Sequence, residues 1–160
     1  MSLPGEIIQG ILARSALVLL RLYLGAVFLL AALPKLQRDS SREFTGFLEQ
    51  VALERGHAFY QGFVEQVLLP GAPTLAVLVT WGEIVVGVAL LIGLLTRFSA
   101  AMASLLAVNY MFAKGAWFWT PGSSDAAYVA IGLAILIGAA GRTLGLDALL
   151  ARRWPRSALW

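Results

Sequence analysis

Residues 71–97 read GAPTLAVLVTWGEIVVGVALLIGLLTR, and the reading of this stretch decides the fold. From Pro73 to Leu95 it is apolar apart from Thr74, Thr80 and one acid, Glu83. At 1.5 Å per residue a helix of that length rises about 34 Å, enough to cross a hydrocarbon core of about 30 Å. Pro73 stands where a helix can begin without forfeiting a hydrogen bond, and Arg97 where a cation meets a helix C-terminus. Glu83 falls near the middle of the span. A carboxylate at that depth costs on the order of 3 kcal/mol and persists only when neutralised, paired or hydrated. Gly82 and Gly87 would let another helix approach closely. The stretch predicts one acid held inside a membrane and enclosed by other helices.

The rest of the chain agrees with that class. Its 160 residues are 59% hydrophobic, with a mean hydropathy of +0.80, as expected of one membrane domain spanning residues 1–160. The net charge of +3 does not indicate nucleic acid, because no basic run precedes the last dozen residues and cations at helix ends report topology. There is no cysteine, so the chain supplies no disulfide, iron–sulfur cluster or thiolate metal site. With His57 as the single histidine, a bis-histidine haem within the chain is excluded and a metal site is not expected. Any redox role then needs a bound organic cofactor or a partner protein.

The expected fold is an all-α membrane protein, a four-transmembrane-helix bundle with short interfacial amphipathic helices. The spans are placed at about 15–33, 73–95, 98–112 and 126–140, and the interfacial segments at about 42–67 and 142–154. Residues 1–14 read as a surface helix with Ile7, Ile8 and Ile11 on one face. Span one stops at Pro34-Lys35, and Arg21 divides its apolar run, which suits a retained helix rather than a cleaved signal. Phe44, Phe47, Leu48 and Val51 form a stripe at helical spacing, and Phe59, Phe63 and Val67 suggest a second short piece. His57, after Gly56, reads as an exposed loop residue. Pro121-Gly122 marks a turn, and Ser123, Ser124 and Asp125 can cap the next helix. An even number of spans puts Arg14, Arg97, Arg142, Arg152, Arg153 and Arg156 on one side, so both termini are assigned to the cytoplasm, as in a multi-pass protein of a bacterial inner membrane.

Helix rise identifies the polar residues that share a depth. Glu83 and Asn109 both fall near the midplane of antiparallel spans. Arg21 lies one to two turns nearer the cytoplasm; it either snorkels to the headgroups or turns inward to Glu83. With Tyr110, Trp81 and Tyr23 these residues outline a polar pocket with aromatic walls. Trp117 and Trp119 read as interfacial belt residues or as the rim of that pocket. A buried Arg–Glu pair with an Asn can equally serve to register helices, so a structural role and a functional one stand side by side.

The segments RLYLGAVFLLAALPKL, WGEIVVGVALLIGLLTR and GAAGRTLGLDALLARR resemble the DoxX/DoxD-like small membrane proteins, which include the small subunit of thiosulfate:quinone oxidoreductase. The resemblance implies a four-helix membrane bundle associated with quinone-linked or thiol and oxidative-stress redox systems. Its recurring polar positions fall on Arg21, Lys35, Glu83 and Arg97. The expected function is a membrane subunit that binds a quinone or quinol headgroup, working with a protein partner in a redox complex. Glu83 would exchange a proton, Arg21 would fix its charge, and Asn109, Tyr110, Lys35, Trp81, Trp117 and Trp119 would contact the cofactor. A non-catalytic assembly subunit is the alternative, and a small transporter or proton path a third.

Overall fold

The computed structural model describes residues 4–138 and 140–154, all helix and connecting turns with no strand among them. The Ile7 side chain and Arg156 lie outside the described residues. Four long helices dominate: α1 (Pro4–Gln37), then, after a compact intervening segment, α5 (Ala72–Ile92), α6 (Thr96–Ala113) and α7 (Asp125–Gly138). Each packs on the next and α7 returns to α1, closing an up-down-up-down bundle. Leu24, Phe28, Val86, Leu90, Ala100, Ala103 and Ile135 form its central core.

Two of these helices, within Ile8–Gln37 and Ala72–Ile92, are long and apolar enough to cross a membrane. The others are shorter, with 18 residues in α6 and 14 in α7. Several boundaries differ from the sequence expectation. The lead-in and first span form one helix, which passes Pro34 and ends at Gln37. A proline in the last turn removes one hydrogen bond only, so the helix can continue past it. The second span stops at Ile92 rather than Leu95, because Gly93 adopts the left-handed conformation at φ 69° and closes the helix. Arg97 consequently belongs to α6, where its Nε donates to the carbonyl of Leu136 at 3.1 Å.

Small residues set how closely the helices cross. A Cβ added at Gly87 would lie 2.8 Å from the Leu29 nitrogen, and one at Gly25 would lie 2.9 Å from the Gly87 carbonyl. Backbone therefore touches backbone where α1 crosses α5, the arrangement small residues permit between membrane helices. Gly82 does not take part: nothing lies within 4 Å of its Cβ position.

Residues 40–68 fold over one end of the bundle as a cap. It comprises α2 (Ser40–Phe47), a π-helical turn at Leu48–Ala52, α3 (Leu53–Arg55), α4 (Ala58–Phe63) and a second π turn at Val64–Leu68. Asp39 opens α2 by accepting from the Arg42 amide at 3.1 Å. The cap buries Leu48, Ala52, Tyr60 and Val64 against Ala72 and Ala113, with Phe44 and Phe47 partly buried beside them. The first apolar stripe thus packs inward as expected. The second does not: Phe59, Phe63 and Val67 face outward, and Tyr60 and Val64 fill the core instead. His57 is half-buried rather than exposed, packed against Trp117 at 4.2 Å between ring centroids, with Nε2 2.9 Å from the Ala116 carbonyl oxygen.

At the opposite end, α8 (Leu146–Arg153) follows a 3-10 turn at Ala140–Arg142, close to the expected second interfacial segment. Substituting Gly87 by Ala should lower stability by about 1–3 kcal/mol through overpacking. Gly82→Ala should be neutral or slightly stabilising, as expected at an open helical site. Thermal unfolding of both variants in detergent checks the contrast, and equal behaviour would refute the close crossing.

Candidate functional site

Glu83 sits halfway along α5 with its side chain 3% exposed, and three elements supply its surroundings. Lys35, from the last turn of α1, places Nζ 2.5 Å from Oε2. Tyr110, from α6, donates its hydroxyl to Oε1 at 2.7 Å. The acid thus has a cation on one oxygen and a phenol on the other, which is how an ionised carboxylate is tolerated away from water. Lys35 is 28% exposed, so the pair reaches the surface through the lysine.

A second pair stands beside the first. Lys114, one turn beyond Tyr110 at the C-terminal cap of α6, donates to both oxygens of Asp125 at the start of α7, at 3.1 and 2.8 Å. The two ammonium groups lie 5.7 and 5.5 Å from the centre of the Tyr110 ring, within cation–π range. Phe47 of the cap meets the same ring edge-on, at 6.0 Å and 72°. Between these groups is a cavity of about 290 Å³, walled also by Phe28 and Tyr128.

Of the residues the sequence singled out, the structure brings together Glu83, Lys35 and Tyr110. Asn109 faces the cap, where its Oδ1 accepts from the Tyr60 hydroxyl at 3.0 Å. Burial pushes the Tyr60 phenol up from its ordinary range, so it stays a neutral donor there. Trp81 is exposed on the outer side of α5, away from the cavity. Trp117 and Trp119 stack on each other at 5.7 Å in the α6–α7 connection and do not line the cavity.

Arg21 does not pair with Glu83. Fourteen residues separate it from Lys35 along α1, a rise of about 21 Å, so it lies at the other end of the bundle. There its guanidinium is buried and donates to the carbonyls of Ala140 at 3.3 Å and Leu144 at 2.8 Å. Asp147 completes this end by accepting from the amides of Leu95 at 2.7 Å and Thr96 at 2.8 Å, where α6 begins. Asp147 answers amides at the start of α6 that have no partner within their own helix, while Arg21 ties down carbonyls of the turn that leads into α8. The expectation that Arg21 would fix the charge of Glu83 is therefore corrected: Lys35 does so. Asp125, Lys114 and Phe47 escaped notice as site residues. The i, i+4 spacing of Tyr110 and Lys114 was the available signal.

The family model described as DoxX matches residues 16–116, which contain Arg21, Lys35, Glu83 and Tyr110. The chain belongs to the DoxX family. Comparison with curated proteins and with solved structures gives no match. This DoxX member is a membrane protein, as its family and its two long apolar helices indicate. The matched region ends before α7, so Asp125 and Asp147 lie outside it.

Removing one partner of a buried ion pair typically costs about 3–5 kcal/mol, less where one side is wetted as Lys35 is, and removing both can be nearly neutral. Lys35→Met and Glu83→Gln should therefore each destabilise the DoxX protein, and the double variant should recover much of the loss. The pair Arg21→Met and Glu83→Gln should instead be additive to within about 0.5 kcal/mol, as remote sites are. Two double-mutant cycles followed by thermal unfolding check this, and strong coupling between Arg21 and Glu83 would contradict the geometry.

Proposed function

We propose that this DoxX protein is a four-span subunit of a quinone-linked redox system, with the Glu83 cavity receiving a quinone or quinol headgroup. The observation that carries the reading is the pairing of a buried carboxylate with a lysine and a phenol on the wall of one cavity. At about 290 Å³ the space is close to the lower limit of about 300 Å³ for small-molecule sites, which suits one substituted ring. Its donor set also fits: two ammonium groups, each with N–H donors beyond those given to its carboxylate, can donate to carbonyl oxygens, while Phe28, Phe47 and Tyr128 offer ring faces and edges.

A bound quinone supplies two-electron, two-proton chemistry that none of the chain's own side chains provides. Glu83 holds or takes up a proton at its carboxylate. Lys35 pairs with one oxygen of that carboxylate and Tyr110 donates a hydrogen bond to the other. Lys114 and Asp125 form a second charged pair within the same cavity. The cap, through Phe47, covers the edge of the Tyr110 ring beside them.

A continuous proton path through the protein is disfavoured. Between the Glu83 cluster and Arg21 lies the apolar core of Leu24, Phe28, Val86 and Leu90, and Arg21 is sealed by backbone carbonyls. Electrons come from a partner or a soluble substrate. The arginine distribution puts both termini in the cytoplasm of a bacterial inner membrane and the capped end outside.

Quinone should co-purify with the wild-type protein, and Glu83→Gln and Tyr110→Phe should each weaken its binding at least tenfold with folding retained. Extraction with analysis of the bound lipid-soluble fraction, followed by titration of the variants, checks this. A stable larger complex with no quinone would favour an assembly subunit. Because the chain has no cysteine, single cysteines report topology directly. In intact cells Ser124→Cys should react with an impermeant thiol reagent and Leu144→Cys should not, and the reverse would invert the orientation.

A further inference from the structure

Three cavities lie around Tyr110 and Phe47, and their shared walls show which of them are neighbours. Lys35 lines both the Glu83 cavity and a junction of about 210 Å³. Phe44 and Val79 line both that junction and a third chamber of about 200 Å³. Phe47 and Tyr110 border all three. The three are thus arranged around one edge-to-face ring pair.

The third chamber differs in chemistry from the first. No charged side chain lines it, and its walls are mostly aliphatic and aromatic, from α5, α6 and the cap. Its amide and one of its phenols are already occupied with each other, because Tyr60 donates to Asn109 and Asn109 donates to the Leu105 carbonyl at 2.8 Å. A polar group placed there would lose its water without gaining a partner. A hydrocarbon would lose nothing. Leu105, on the chamber wall, is 53% exposed, so this wall reaches the outer surface of the bundle.

We infer that the third chamber seats the hydrocarbon chain of an amphiphile whose polar head lies against Glu83, with the Phe47–Tyr110 pair between head and chain. The inference rests on the headgroup reading above and extends it. The ligand class becomes a lipid-soluble ring carrying an alkyl or prenyl tail, rather than a small water-soluble molecule. The tail has a place inside the protein instead of trailing in the bilayer. The alternative source of a chain is an ordinary membrane phospholipid, whose phosphate would meet two carboxylates as well as two ammonium groups in the Glu83 cavity.

The test uses the full chain in nanodiscs of one defined phospholipid, with a linear alkyl diazirine as photoprobe and mass spectrometry to map its adducts. Labelling is expected at Leu75, Val79, Leu105 or Leu106. A decyl-benzoquinone should suppress it at least fivefold, while a tail-less benzoquinone at equal concentration should not. Val79→Trp, with Leu106→Trp as a second variant should the first not fold, should remove the labelling by filling the chamber. Absence of adducts at these positions overturns the proposal, as does labelling that no competitor displaces, which marks bulk lipid. Equal suppression by the tail-less ring overturns it too. Displacement by decanoate but not by decyl-benzoquinone would leave the chain chamber standing and remove the quinone assignment alone.

Discussion

A carboxylate in the middle of α5 has to be answered by side chains from other helices, and most of the arrangement follows from how it is answered. Glu83 accepts from Lys35 and Tyr110 at once, so α1 and α6 are fixed in height and rotation against α5. A one-residue slip along either helix would carry the partner about 1.5 Å in depth and about 100° around the axis. The Gly25–Gly87 contact fixes α1 against α5 independently, about one turn from Glu83 along α5 and nearly three turns from Lys35 along α1. Polar pairing and close backbone approach specify a single register between them.

The two ends of the bundle use charge differently. At the capped end, cations face carboxylates across a cavity, and the lysines remain partly wet. At the other end, Arg21 and Asp147 face backbone. Arginine suits the second task because its fork of donors reaches several carbonyls at once and it never loses its charge. Lysine suits the first, where a single ammonium can be approached and exchanged. The core cluster that separates the ends is uncharged throughout.

Much of this was legible in the sequence, for identifiable reasons. Apolar length revealed the long helices, and the isolated acid in α5 revealed the site, because both signals are local. The partner of Glu83 was not. Arg21 and Lys35 were both within plausible reach on depth alone, and only the antiparallel crossing of α1 and α5 puts Lys35 beside Glu83 and Arg21 beside Gly93. Trp81, Trp117 and Trp119 were assigned by residue type, and type does not say which side of a helix faces a cavity. The outward turn of Phe59, Phe63 and Val67 was hidden for another reason. Phe59 and Phe63 share a face of regular α4, and Tyr60 with Val64 makes an equally apolar stripe one residue on, so spacing alone does not choose between them. Of the two π turns in the cap, only the second holds any of the three outward residues, Val67.

Those π turns also change what kind of sequence variation the cap can absorb. Each holds its chain in a wider coil, with the Leu53 amide bonded to the Leu48 carbonyl and the Leu69 amide to that of Val64. A π turn amounts to a residue inserted into an α-helix, so its geometry depends on the count of residues as much as on their identity. Phe47 stands immediately before the first such turn, and Tyr60, which holds Asn109, lies between the two. Shortening the first turn by one residue would rotate the helix that follows it, as far as Arg55, by about 100° relative to Phe47 and would shift the start of α4 and its Tyr60. Surface segments ordinarily tolerate small insertions and deletions. Here the spacing between two aromatic side chains is itself a structural element, so a change in length would act on the site as directly as a change of residue.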